Sequence, residues 1–122
     1  MPARNVVAKE LAQLLKSIAH PDRIRLIEEL RGGEADVNTL AETLDIAPTR
    51  ASQHLGILRV HRVVDERREG RHHIYHLVQP EIANWIIDGL AFVEGRMNAV
   101  SPDEINDARQ LWESTPVAQT DS

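Results

Sequence analysis

Between Ile46 and Arg59 the chain reads Ile-Ala-Pro-Thr-Arg-Ala-Ser-Gln-His-Leu-Gly-Ile-Leu-Arg. Thr49, Arg50, Ser52 and Gln53 are side-chain types that read base edges. Gln pairs bidentately with adenine, Arg with guanine, and Ser or Thr with a base or a phosphate. His54, beside them, falls nearer the apolar side of a helical wheel and suits phosphate contact or packing. Further along, Arg67, Arg68 and Arg71 surround Gly70; guanidinium groups on such a tip contact phosphates or enter the minor groove. His72, His73 and His76 follow. With Asp65, Glu66 or Glu69 close by in the sequence, they form a donor set that suits Ni²⁺ or Zn²⁺ as an effector. On a strand, His72 and His76 share one face and His73 lies on the other.

These groups need a scaffold, and the hydrophobic pattern supplies one. Pro48 suits the first position of a helix, and Ala51, Leu55 and Leu58 fall at helical spacing behind the polar face. A shorter helix carrying Leu40, Ala41 and Leu44 precedes it, with Asn38 as the expected N-cap and Asp45–Ala47 as a tight turn. That pair is a helix-turn-helix. Val63-Val64, charged residues, Gly70 and then 72–77 read as a β-hairpin, Gly70 supplying the positive φ of its turn. The layout is that of a winged helix: mainly α, with a small β-hairpin and extra N- and C-terminal helices.

The flanks complete it. Val7, Leu11, Leu14, Leu15 and Ile18 mark a helix over 5–19, broken by His20-Pro21-Asp22. A second helix from Pro21 carries Ile24, Ile27 and Leu30 inward and stops at Gly32-Gly33. His20 is expected to cap or pack at the junction, and His61 to be solvated. Pro80 opens a long helix with Ile82, Trp85, Ile86, Gly89, Leu90 and Val93 on one stripe. Ser101–Glu104 predicts the cap and first turn of a last helix with Ile105, Ala108, Leu111 and Trp112 inward. One domain over 1–113 and a flexible tail over 114–122 are expected.

Composition narrows the function classes. The 122 residues contain no cysteine, which excludes disulfides, thiolate metal sites and thiol redox sensing. No run is long and apolar enough to span a membrane, and the N-terminus is amphipathic rather than continuously apolar, so a cytoplasmic protein is expected. Nucleophile, base and orienting group form no recognisable set, so no enzyme is expected. Net charge is −5, but 49–76 carries six arginines against three acids, leaving −8 on the remainder. A basic segment on an acidic body is compatible with DNA binding and discourages indiscriminate binding.

Four stretches, in this order and spacing, resemble the ArsR/SmtB family of bacterial transcriptional repressors. They are Ser17–Ile27, Val37–Leu44, Ala51–Arg59, and Arg67–Arg71 followed by Ile74-Tyr75. The resemblance covers about Leu14 to Leu77. It implies a homodimer that binds an inverted-repeat operator in double-stranded DNA until an inducer lowers its affinity. It also implies an interface from the first and fifth helices, which here carry Val7, Leu11, Leu14, Ile82, Trp85, Ile86, Leu90 and Val93. The family's thiolate pair corresponds to Asp36 and Asn38, and its fifth-helix metal ligands to Gln79, Glu81, Phe92 and Gly95, so neither familiar sensing site is present. A second reading is a winged-helix protein-interaction module whose sensing is supplied by a partner co-regulator.

Overall fold

The computed structural model describes residues 2–97 and 102–114. Helix α1 spans Pro2–Ile18 and α2 spans Pro21–Arg31. His20 separates them in an extended conformation, its Nδ1 accepting the Asp22 backbone N–H at 3.0 Å while Pro21 takes the first helical position. The junction histidine is therefore a cap. Helix α2 ends at Gly32, and Gly33 at φ +134° turns the chain back.

A two-residue strand β1 (Ala35–Asp36) leads into α3 (Val37–Leu44). The N-cap of α3 is Asp36, not Asn38: Asp36 Oδ1 accepts the Thr39 N–H at 2.7 Å. Asp36 is extended because it pairs in a sheet, and that extended residue is the one placed to cap. Asp45, at φ 56°, makes the left-handed turn after α3 that a glycine often makes. Helix α4 (Pro48–Val60) follows. Strands β2 (Val64–Glu69) and β3 (His72–Leu77) pair antiparallel, Glu69 opposite His72, so Gly70-Arg71 is a two-residue turn with Gly70 at φ +60°. Strand β1 adds to the far edge of β3, giving the order β1-β3-β2.

The long helix expected after Pro80 is two pieces, α5 (Glu81–Asp88) and α6 (Leu90–Glu94). At Gly89 the ladder tightens: its N–H reaches Ile86 O at 3.0 Å, and Phe92 N–H reaches Gly89 O at 3.1 Å. A glycine inside a helix is the weakest point for that interruption. Helix α7 spans Pro102–Ser114. Trp112 is buried, but Leu111 and Ala108 are exposed, against expectation, because α7 meets the body along one narrow edge. Ser101, the Ile105 side chain and the tail from 115 lie outside the described residues. The core is built on Leu26, Ile27, Leu30, Leu40, Leu55, Leu58 and Val64, with Tyr75 and Leu77 of β3 closing it.

Candidate nucleic-acid interface

Three residues fasten α4 to the body: Ala51, Leu55 and Leu58 are wholly buried. Their spacing leaves the opposite face outward, and Thr49, Arg50, Ser52 and Gln53 are all exposed there. Thr49 and Ser52 line a groove of about 360 Å³ that continues past Asn38 and Asp36 to Arg71, His72 and His73. The first turn of α4 and the flank of the wing therefore form one continuous concave surface.

His54 turns the other way. Its Nδ1 accepts from Arg23 Nε at 3.1 Å, so the proton sits on Nε2, which lies 3.3 Å from Asp22 Oδ2. Burial, reinforced by His20, Arg23 and Arg50, holds its pKa below the usual imidazole value. Arg23 also donates to the Ser17 carbonyl at 3.1 Å, carrying the link to the end of α1. Arg50 is the one base-reading candidate with an ionic partner: its Nη2 lies 2.6 Å from Asp22 Oδ2.

On the wing the three arginines are not equivalent. Arg67 is engaged by Glu34 at 2.5 and 3.3 Å and by Glu69 at 2.8 Å, which pushes its pKa further up and ties the hairpin to the turn after α2. Arg68 and Arg71 are exposed and carry no ion pair among the described residues. The wing's base is braced by Tyr75, whose hydroxyl donates to Glu66 Oε2 at 2.7 Å. That bond holds Glu66 below the ordinary carboxylate range, while burial, aided by Glu66, pushes Tyr75 up to about 12. Arg59 of α4 reaches the same strand through Asp65 at 3.4 Å and Glu66 at 3.8 Å.

The hairpin histidines do not gather. His72 Nδ1 lies 3.2 Å from Asp36 and His73 Nδ1 lies 3.4 Å from Glu66, while His76 stands opposite Asp65 in the ladder. Among the described residues, one trio brings candidate ligand atoms within 4.8 Å of one another: His20, Asp22 and His54. Sequence reading did not assemble it, because only the packing of α2 on α4 brings His54 to the junction. Its donor set fits a cation poorly. His20 Nδ1 is occupied by a backbone N–H, His54 Nδ1 by Arg23, and the Asp22 oxygen is flanked by Arg50. The oxygen has no hydrogen bond of good angle, yet at 2.6 Å from a guanidinium nitrogen its charge is compensated.

Away from this surface, Val7, Leu11, Leu15, Trp85 and Phe92 are exposed, whereas Leu14, Ile82, Ile86 and Leu90 rest partly on the core. Together α1, α5 and α6 present an apolar face, centred on a pocket between Leu15, Ile18, Ile24, Trp85, Ile86 and Phe92. Exposed apolar area of that kind on a small domain marks an association surface.

A helix-turn-helix with a polar outer face, followed by a wing carrying unpaired arginines, defines the class of winged-helix DNA-binding transcriptional regulators. The family described as "Bacterial regulatory protein, arsR family" matches residues 20–66. The biofilm growth-associated repressor of Agrobacterium fabrum is 42% identical over 86 residues, covering 70% of this chain and 74% of that protein. The solved structure of the transcriptional repressor BigR from Xylella fastidiosa superposes with a TM-score of 0.65 at 31% identity, covering 75% of this chain and 93% of that one. The homodimeric winged helix-turn-helix DNA-binding domain of a Mycobacterium bovis protein has the same fold, with a TM-score of 0.64 at 24% identity, covering 80% of this chain and 88% of that one. This chain belongs to the ArsR family of transcriptional repressors; it is not an enzyme.

Proposed function

We propose that the protein acts in the cytoplasm as a homodimeric repressor that reads an inverted-repeat operator. Thr49, Arg50, Ser52 and Gln53 of each α4 enter the major groove, and Arg68 and Arg71 of each wing hold the flanking backbone. The observation that carries this reading is the asymmetry of α4: one face wholly buried, the other made of small hydroxyls, an amide and a guanidinium, all exposed. Association through α1 and α5 is supported by the apolar face those helices leave uncovered and by the homodimeric neighbour.

Selection from a randomised DNA duplex pool, followed by anisotropy titration of the enriched sequence, tests it. An enriched inverted repeat whose binding is lost in both Gln53→Ala and Arg68→Ala is expected. Failure to enrich any sequence would favour the protein-association module, with a partner supplying the effector. The same titration with Ni²⁺, Zn²⁺ or chelator examines the metal response. Its ligand candidates are His72, His73 and His76, each standing beside a carboxylate or opposite one; operator affinity unchanged by either metal rejects that response alone.

A further inference from the structure

We propose that Asp22 is a positioning residue for base reading, fixing Arg50 of the recognition helix in the pose that selects a base pair. This rests on the operator reading above and adds to it a residue outside the helix-turn-helix. Asp22 lies in the first turn of α2, its side chain 17% exposed, whereas that of Arg50 is 54% exposed. Nη2 of Arg50 lies 2.6 Å from the carboxylate oxygen, and a guanidinium so engaged has further N–H donors to offer a base edge. Asp22 is itself held from behind. His54 presents Nε2 to the same oxygen at 3.3 Å, and Arg23 fixes that imidazole through Nδ1 at 3.1 Å. The His20 ring lies obliquely against His54 with centroids 4.3 Å apart.

A free arginine side chain loses rotamer entropy when it docks on a base; one already pinned loses less. Pinning also costs the wrong base more, since the guanidinium cannot swing to a substitute partner without leaving Asp22. Asp22 thus contributes selectivity while touching no DNA.

The test compares base preferences selected from a randomised duplex pool by the wild type, Asp22→Asn, Arg50→Ala and the double variant, each checked for folding by thermal melting. Asp22→Asn and Arg50→Ala are expected to blur the same position in each half-site. The discrimination lost there is roughly ten- to a hundred-fold, the worth of one bidentate pair. The double variant is expected to be no worse than Arg50→Ala, which a purely structural role for Asp22 would not produce. Asp22→Asn retaining the wild-type profile, or adding a further loss on top of Arg50→Ala, overturns the proposal. A second readout needs no variant: the Arg50 Nε–H resonance of the free protein is expected to be motionally restricted, and a freely mobile guanidinium refutes the pinning. A wild type that enriches no sequence sinks the operator reading instead, and the resonance still decides whether Asp22 holds Arg50.

Discussion

The sharpest consequence of the wing's ion pairs is that Arg67→Ala and Arg68→Ala act on DNA binding in different ways. Three wing arginines per protomer would suggest six phosphate contacts per homodimer and a slope of log affinity against log salt of about −5. With Arg67 held by Glu34 and Glu69, the wings of the proposed homodimer are expected to supply four contacts, from Arg68 and Arg71, and a slope of about −3.6. Removing Arg68 from both protomers deletes two contacts and flattens the slope by about 1.8, at about 0.9 per contact. Removing Arg67 deletes none. It frees two carboxylates beside the DNA and loosens the wing, so affinity falls at every salt concentration while the slope stays. Anisotropy titrations of the enriched duplex between roughly 50 and 200 mM salt separate the two behaviours. Equal flattening by both variants would show that Arg67 leaves Glu34 for the phosphate backbone, and the reasoning would fail.

Three further outcomes follow from the core, the pH-sensitive groups and the apolar face. Leu55→Ala, at a wholly buried position behind the reading face, should cost about 2–5 kcal/mol of stability in urea unfolding; a loss under 1 kcal/mol would mean α4 is not fastened there. Acid destabilisation should come in two steps. His54, held below its usual pKa chiefly by burial, takes up a proton more readily in the unfolded chain, so its contribution is whole above about pH 6.5 and is lost as pH falls below that. Asp36 and Glu66, lowered by hydrogen bonds from Thr39 and Tyr75 respectively, contribute fully above about pH 4 and lose that contribution as pH falls through their folded values. Urea midpoints against pH should lose the upper step, and keep the lower, in His54→Gln. Leu11→Glu, on the exposed stripe of α1, should give monomers in sedimentation and lower operator affinity roughly 100-fold or more by uncoupling the half-sites; a Leu11→Glu dimer would place the interface elsewhere.

What the sequence made legible was whatever local periodicity and turn chemistry decide. The Ala51–Leu55–Leu58 stripe, Pro48 at the start of α4, Gly70 at the hairpin tip and His20 as a cap all follow from neighbours a few residues away, and the structure places them so. Misreadings arose where a distant element intervened. Asp36, rather than Asn38, caps α3 because its backbone is drawn into a ladder with Ile74 of β3. Two residues of strand carry no periodic signal of their own. Leu111 looked inward by helical spacing, but a helix on the margin buries only the edge that touches, here through Trp112. The site was legible as residue types and not as charge states. Glu34 and Arg67, or Asp22 and Arg50, lie too far apart in sequence for any spacing rule to pair them.

Those pairings also set how much of the basic segment of a chain of net charge −5 stays free to meet phosphates. An acid far from the interface screens little, but an acid in contact with an arginine removes it from the count of phosphate contacts. Glu34 and Glu69 withdraw Arg67, and Asp65 and Glu66 withdraw Arg59. Asp22 lies 2.6 Å from Nη2 of Arg50, whose side chain is 54% exposed. On the proposed reading, the salt-dependent, sequence-blind part of binding is therefore expected to rest on few cations, chiefly Arg68 and Arg71. The sequence-dependent part is expected to rest on α4, whose one charged candidate reader, Arg50, is ion-paired with Asp22. For a repressor facing a genome of competing sites, weak non-specific attraction raises the ratio that matters, specific over non-specific affinity. By this argument Glu34→Gln, which releases Arg67 toward the phosphates, should steepen the salt slope by up to about 1.8 and tighten binding to random duplex more than to the operator. A slope unchanged in Glu34→Gln would show that the wing's geometry, and not its ion pairs, limits the contacts it makes.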